Sequence, residues 1–278
     1  MRYLLIALAL AACTSTEMPD YADCLADHDA LYCNVRFYPD TPAPGEVAAD
    51  YGTSRCMAPA EFAPLADFYA EDMARCREAL AVRLGYDCGE RALKRVAVDG
   101  DGLRSYYGRW GGVGQTVTRG DVESLAALQS RLPELRAALE ADDCADWHEN
   151  THAAVGGLPL PAMLNEGLAV AMSPHSDIGC AFDFADLGAG EGAASWHESF
   201  TAMCLWDFLA SEGMETGDVL RAIAAMDGDF YLIADALGRP DLRDEMRERF
   251  GVYDWLISRN SEGWNEAIIR GSTCVSHP

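Results

Sequence analysis

The chain has 278 residues, 50% of them apolar, and a formal net charge of −24 from 45 acidic against 21 basic residues. This composition is typical of a globular protein of one or two domains. Because the acidic residues are spread along the chain, its surface repels nucleic acid and anionic lipid headgroups, which excludes both as electrostatic partners.

The first thirteen residues predict a targeting segment. Arg2 supplies a positive charge, residues 4–10 form an apolar run, and the tetrapeptide Leu-Ala-Ala-Cys ends at Cys13. The run is far shorter than the roughly 20 residues that span a bilayer as a helix, so it is typical of a signal peptide. Its end resembles the bacterial lipobox, which implies cleavage after residue 12 and acylation of Cys13. An ordinary signal peptide followed by an unrelated cysteine is the alternative.

Acylation of Cys13 would tether an otherwise soluble protein to the bacterial cell envelope through lipid alone. Thr14, where an inner-membrane lipoprotein would have Asp, favours the outer membrane or cell surface. The chain has nine further cysteines without a Cys-x-x-Cys pair, which in an exported protein indicates disulfides. An odd number leaves at least one unpaired, and Cys24 with Cys33 is the local pairing that we predict.

Residues 13–58 are rich in Asp, Pro and small residues, which predicts a tether and a loop-rich segment. A single domain is expected over 59–278. It begins with a long amphipathic helix, from about Glu61, whose apolar residues repeat near every 3.6 positions until Gly85 ends it. Alternation around "RVAV", followed by "DGDG", predicts a β-hairpin, and Gln115 to Thr118 predict another short strand.

The C-terminal half of the chain is predicted to be helical. Asp121 is placed to cap one, Pro133 opens or kinks its continuation, and a further helix is expected from about Asp142 to Val155. Four more helical stretches are "AMLNEGLAVAMS", "WHESFTAMCLWDFLASEG", "GDVLRAIAAM" and "DLRDEMRERFG". The fold class predicted is α+β, mostly helical, with a small sheet before the helix at 142–155.

That helix contains His148-Glu149-Asn150-Thr151-His152, a His-Glu-x-x-His motif. Residues four apart lie on one helix face, so His148 and His152 can each bind one zinc ion through a ring nitrogen at about 2.0–2.1 Å. Glu149 lies beside such an ion, where a general base is needed. A solvated helix face that happens to carry two imidazoles is the alternative.

A hydrolytic zinc site needs a third protein ligand and an open position for water. Glu166, in "NEGLA", is separated from His152 by a stretch that holds two glycines and two prolines, room for one helix to end and an antiparallel one to begin. We therefore predict a Glu166 carboxylate oxygen within roughly 5 Å of both imidazoles, as one zinc ion requires.

The motif followed by "NEGLA" on a second helix resembles the gluzincin metallopeptidases, in particular the small bacterial peptidase MA-like and minigluzincin domains. The resemblance covers about residues 61–251. It implies a zincin-like domain, His148, His152 and Glu166 as zinc ligands, and Glu149 as the base that activates water. The sequence departs from the family at Asp142, Asp143 and Asp146, where apolar residues are usual; Asp146 could expose the helix or accept a hydrogen bond from a histidine N–H.

The resemblance also implies a peptide or protein substrate and a residue that donates to the oxyanion. His197 is the candidate for that role and Tyr231 is the alternative, each competing with a structural interpretation. Substrates of such enzymes extend the sheet as an added strand, and Gly114 to Thr118 is the candidate edge strand, or else an ordinary hairpin strand. The function predicted is a membrane-tethered zinc peptidase; a catalytically inactive surface lipoprotein with the same fold, serving in binding or structure, is the alternative.

Overall fold

A computed structural model of the chain describes residues 21–86, 91–100, 102–110, 113–156, 158, 160, 162–173, 206–225, 234–235 and 237–250. The predicted signal peptide and Cys13 lie outside these residues. The described part is a mixed α+β fold, as predicted, with a five-stranded sheet and helices on both of its faces. None of its helices combines the length and the apolar character that crossing a bilayer requires.

The N-terminal segment is more regular than its composition suggests. Helices α1 (Tyr21–Asp27) and α2 (Ala30–Phe37) are joined by the predicted Cys24–Cys33 disulfide, and strands β1 (Glu46–Tyr51) and β2 (Ser54–Pro59) form an antiparallel hairpin. The loop-rich interpretation is wrong for residues 21–58, and the boundary expected after residue 58 falls inside β2. Helices this short are unstable in isolation. They are stabilised here by the disulfide and by packing on the sheet, neither of which the local sequence pattern reveals.

The long helix is confirmed as α3 (Ala63–Leu84), preceded by a 3₁₀ turn at Ala60–Phe62. It ends at Gly85, whose φ of 59° is the left-handed conformation that glycine adopts without strain. The helix lies across β1, β2 and β3 and continues beyond the sheet to the helices of the C-terminal half. It therefore connects the two halves of the molecule.

The predicted hairpin after α3 is wrong in its pairing. Strands β3 (Ala92–Val98), β4 (Arg104–Trp110) and β5 (Val113–Gly120) belong to a sheet with the order β1-β2-β3-β5-β4. The strand β3 is parallel to β2 and β5, whereas β4 and β5 form the antiparallel hairpin. The alternation around "RVAV" suggested one solvated face, but Lys94 and Arg95 are both fully buried, on opposite faces of a central strand.

The candidate edge strand is an ordinary hairpin strand, the alternative that the sequence left open, since it pairs antiparallel with β4. Residues 114–118 lie in β5, which is internal because it pairs with β3 on one side and β4 on the other. The outermost strand on this side of the described sheet is β4. This Gly-rich, weakly apolar segment resembled an edge strand because its parallel pairing with β3 leaves no local sequence pattern.

The remaining described helices lie at the stretches predicted to be helical, and residues 196–205 of one of those stretches lie outside the described residues. They are α4 (Val122–Ser130), α5 (Leu132–Glu140), α6 (Trp147–Val155), α7 (Ala162–Met172), α8 (Thr216–Ala225) and α9 (Pro240–Phe250), and residues 206–211 are also helical. The Asp121 side chain caps α4 by accepting from Ser124 N–H at 2.7 Å, and Pro133 lies in the first turn of α5.

Two apolar clusters share α3. One fills the space between the sheet, the first half of α3, α4 and α5, around Phe62, Phe68 and Leu125. The other joins the C-terminal half of α3 to α6, α7 and α8, around Leu80 and Leu168. The helix pair α6 and α7 is thus packed on a rigid support at the junction of the clusters.

Candidate metal site

The first two predicted ligands lie on α6, which is shorter than expected. The helix begins at Trp147, not near Asp142, since Asp142 has a φ of 60° that no helix continues through. Its buried residues include Trp147, Thr151 and His152, so the preceding acidic turn does not leave the helix exposed. His148 and His152 share one face, with ring centroids 4.7 Å apart.

The third predicted ligand meets them from α7, the neighbouring helix. Glu166 Oε2 lies 3.2 Å from His148 Nε2, and Glu166 Oε1 lies 3.4 Å from His152 Nε2. The two Nε2 atoms are 3.1 Å apart. The proximity predicted for Glu166 is confirmed by these distances, while a role for the three residues in zinc binding stays a prediction.

The spacing of the three side chains can be compared with that of a zinc site. Atoms bound tetrahedrally at about 2.0–2.2 Å from one zinc ion are roughly 3.3–3.6 Å apart. The separations of 3.1 Å between the two Nε2 atoms and of 3.2 Å from His148 to Glu166 Oε2 are within a few tenths of an ångström of this range, and the 3.4 Å contact of His152 is with the other carboxylate oxygen, Oε1. The donor set of two imidazoles and one carboxylate is also one that zinc prefers. The three residues therefore fit one ion in chemistry and in proximity, since one ligand atom from each lies within 4.8 Å of the other two.

Exposure differs across the cluster. The His152 side chain is 5% exposed, whereas those of His148 and Glu166 are 32% and 46% exposed. One side of the cluster therefore faces the protein interior and the other is open to solvent. A hydrolytic centre needs such an opening because water and substrate must reach the fourth position.

Asn165 orients the buried imidazole, and sequence reasoning missed it. Its Oδ1 lies 3.0 Å from His152 Nδ1. With the proton on Nδ1 donated to this oxygen, Nε2 keeps its lone pair and points toward Glu166. Histidines that bind metals are commonly held in this way through their second nitrogen. The signal was available, since Asn165 directly precedes Glu166 in "NEGLA".

Electrostatics hold the three residues together. Burial raises the pKa of Glu166, but hydrogen bonds to His148 and His152 outweigh it and bring the pKa down to about 2. Burial lowers the pKa of His152, but the hydrogen bond and charge of Glu166 outweigh it and leave the pKa raised. The carboxylate is therefore ionised over the physiological range and ready to bind a cation.

Glu149 lies on the next position of α6 and interacts electrostatically with both histidines and with Glu166. Burial raises its pKa above the ordinary value, while the charges of His152 and His148 act in the opposite direction. A carboxyl group with a raised pKa holds a proton more readily, which is the property that a general base and acid requires.

Among the described residues, Asp146 is paired with a lysine and not with a histidine. Its Oδ2 lies 3.0 Å from Lys94 Nζ, and the ammonium lies 4.1 Å from the centre of the Tyr69 ring. Burial lowers the pKa of Lys94, but the charge of Asp146 outweighs it and raises the pKa. The acidic residue that seemed out of place in the sequence is thus the partner of a buried cation.

Tyr107 of β4 is a second neighbour that the sequence did not reveal. Its ring is stacked on His152, with centroids 6.4 Å apart and planes at 29°. A Cβ atom built at Gly156, which ends α6, would overlap the Tyr107 hydroxyl and lie 2.7 Å from its Cζ. Glycine at this position therefore leaves room for the Tyr107 side chain against the end of α6.

The candidate oxyanion donors His197 and Tyr231 lie outside the described residues. Two disulfides are present in the described part, Cys24–Cys33 and Cys76–Cys144, and Cys56 is a buried free thiol. The Cys76–Cys144 pair closes a loop of 68 residues and fixes the turn before α6 to α3.

Protein-family models, curated proteins and solved structures give no match to the chain. Its function is therefore inferred from the chemistry of this cluster.

Proposed function

We propose that the protein is a zinc-dependent peptidase of gluzincin type, with a zincin-like domain and with His148, His152 and Glu166 as the zinc ligands. The observation that carries the proposal is the meeting of these three side chains, from two separate helices, at the spacing of a tetrahedral zinc site. Two histidines on one helix arise easily by chance, but a carboxylate from another helix meets them only through the fold.

Zinc held there would lower the pKa of a bound water and polarise a substrate carbonyl. Glu149 accepts the proton of the attacking water and transfers it to the leaving amine. Asn165 keeps the His152 ring in the tautomer that presents Nε2 to the ion. His197 or Tyr231 would donate a hydrogen bond to the oxyanion.

The substrate would be a peptide or protein segment bound in extended form. Since β4 is the outermost strand on this side of the described sheet, such a segment can add to its outer backbone groups as a further strand. The strand also carries Tyr107, which is stacked on His152. A peptide on β4 would therefore lie next to the zinc ligands.

The proposal places the enzyme outside the cytoplasm, tethered to the bacterial envelope through a lipid on Cys13. The two disulfides support export, because such bonds persist in oxidising compartments. A lipid anchor needs no spanning helix.

Zinc content and peptide cleavage test the proposal together. Purified protein should contain one zinc per chain; His148→Ala should lose it, while His28→Ala, at an exposed histidine of the N-terminal segment, should keep it. Glu149→Gln should keep the zinc and lose cleavage of a proteome-derived peptide library by roughly 10²–10⁴-fold. The matched control is Glu140→Gln, at the exposed end of α5.

The outcomes separate the two functions. Protein without stoichiometric zinc refutes the proposal. Protein that binds zinc through these residues but cleaves no peptide supports the inactive surface lipoprotein instead.

A further inference from the structure

The residues directly before α6 are attached to α3, one after another. Cys144 is joined to Cys76 by the second disulfide. The N–H of Ala145 donates to Asp72 Oδ1 at 2.8 Å, and Asp72 is fully buried. Since Asp72 and Cys76 are one turn apart on α3, this helix holds two successive residues of the incoming chain.

The next residue is attached to the sheet. Asp146, at the N-cap position of α6, accepts from Lys94 Nζ at 3.0 Å. Lys94 lies on the central strand β3 and is completely buried, with its ammonium also against the Tyr69 ring. The Asp146 side chain makes no cap hydrogen bond to α6 and is instead paired with Lys94.

The position of this contact matters for the candidate metal site. Asp146 is two residues before His148, so a shift or rotation of the first turn of α6 displaces the imidazole. Metal affinity is sensitive to such shifts because ligand atoms must stay within a few tenths of an ångström of their bonding positions. A buried cation lowers the stability of the fold unless it is paired. An apolar side chain would fill the same space without that cost, so filling space does not by itself explain a lysine at position 94.

We propose that Lys94 is a positioning residue for the metal site: through Asp146 it fixes the start of α6 and thereby aims His148 and His152 at Glu166. The zinc-affinity part of this inference rests on the proposed function, whereas the effect on α6 does not. The role belongs to the lysine's ammonium group, which reaches from the middle of the sheet to the first turn of the helix.

Arg95 provides a matched control. It is the next residue on β3, is also completely buried, and points to the opposite face of the sheet, where it is paired with Glu46 and donates to the carbonyl of Thr41 at 3.2 Å. Arg95→Met therefore removes a buried cation from the same strand without touching α6. A merely structural role for Lys94 predicts the same behaviour from both substitutions.

The test compares Lys94→Met, Asp146→Asn and Arg95→Met in the full chain, by amide hydrogen exchange without metal and by zinc titration. In Lys94→Met and Asp146→Asn we expect amides of residues 147–155 to exchange roughly tenfold faster or more relative to those of α3, and Arg95→Met to leave that ratio unchanged. Asp146→Asn is the milder change, which keeps the test decisive if Lys94→Met does not fold.

Zinc affinity should fall roughly tenfold in the first two variants and stay near the wild-type value in Arg95→Met. Cobalt(II) absorption bands, which report ligand geometry, should shift in the same two variants only. Equal exchange ratios in all three variants would overturn the inference. If the wild type binds no zinc, the proposed function fails, and hydrogen exchange still decides whether Lys94 positions α6.

Discussion

Asn165→Ala should weaken zinc binding, because Asn165 is the acceptor that fixes the His152 ring. Its Oδ1 lies 3.0 Å from His152 Nδ1, and the His152 side chain is 5% exposed, so water does not readily replace the lost partner. In Asn165→Ala, a bound zinc ion would hold the His152 ring with its Nδ1–H facing the space left by the asparagine, whereas without metal the ring could turn toward another partner. The loss therefore falls on the zinc-bound state.

The size of the loss follows from the burial of the donor. An unpaired buried N–H costs about 1–3 kcal/mol, which corresponds to roughly 5- to 150-fold in affinity. Loss of the residue that orients a metal-binding histidine typically costs about 10–100-fold, and the two ranges agree. We expect zinc affinity to fall by about 10–100-fold, measured by competition with a chelator of known affinity.

Two variants make this result specific. Asn165→Asp keeps an acceptor at the same place and should retain affinity close to that of the wild type. Asn34→Ala removes a buried asparagine that accepts from Tyr21 and donates to Glu46 beside the sheet, and should leave zinc binding unchanged. If Asn165→Ala binds zinc within about twofold of the wild type, the assigned role of the asparagine in orienting the ring is wrong.

Three further predictions concern the surroundings of the site and the anchor. Burial raises the pKa of Asp72 from 3.8 to about 6, so its contribution to stability is complete below pH 3.8 and is lost as the pH rises through about 6. Between about pH 4 and pH 7, the unfolding free energy of the wild type should therefore fall by on the order of 3 kcal/mol more than that of Asp72→Asn. An equal change in the two proteins, measured by chemical denaturation at both pH values, would contradict this. Gly156→Ala should lower the unfolding free energy by about 1–3 kcal/mol through overlap with Tyr107. The same substitution should cost less in a Tyr107→Ala background, and an equal cost in both backgrounds would exclude that contact as the cause. Cys13→Ser should move the protein from the membrane to the soluble fraction, and its recovery in washed membranes would argue against lipid anchoring.

The helices were predictable where the sequence carries local signals. The period of α3, its glycine terminator and the Asp121 cap of α4 each act over a few residues, and each is seen in the structure. The same holds for α7, which presents Glu166 on its expected side. Two helices with a reversal between them were sufficient to predict that a carboxylate meets the histidines.

The sheet was not predictable in the same way. Two adjacent charged residues on β3, Lys94 and Arg95, suggested a strand with one face exposed to solvent. Both are instead buried, each paired with an acidic residue on its own face of the sheet. The insertion of β5 between β3 and β4 depends on parallel pairing over long sequence separation, which leaves no local pattern. Misplacing β5 also made an internal strand the candidate for substrate binding.

The surroundings of the site were hidden for a related reason. Asp146 looked like a departure from an apolar helix start, because its partner Lys94 is 52 residues earlier in the chain. Tyr107 likewise reaches His152 only because β4 is folded beside α6. Candidate ligands on one helix can be predicted from their spacing in the sequence. The residues that contact and orient them lie far away in the sequence and could not be predicted in this way.

The most direct test of the central claim is an anomalous diffraction map at the zinc absorption edge, from crystals grown with stoichiometric zinc. We expect one peak per chain, about 2.0–2.2 Å from Nε2 of His148, Nε2 of His152 and a carboxylate oxygen of Glu166. A map without a peak between these three atoms, in which the side chains keep only their mutual hydrogen bonds of 3.1 and 3.2 Å, would contradict the zinc site and the peptidase function built on it.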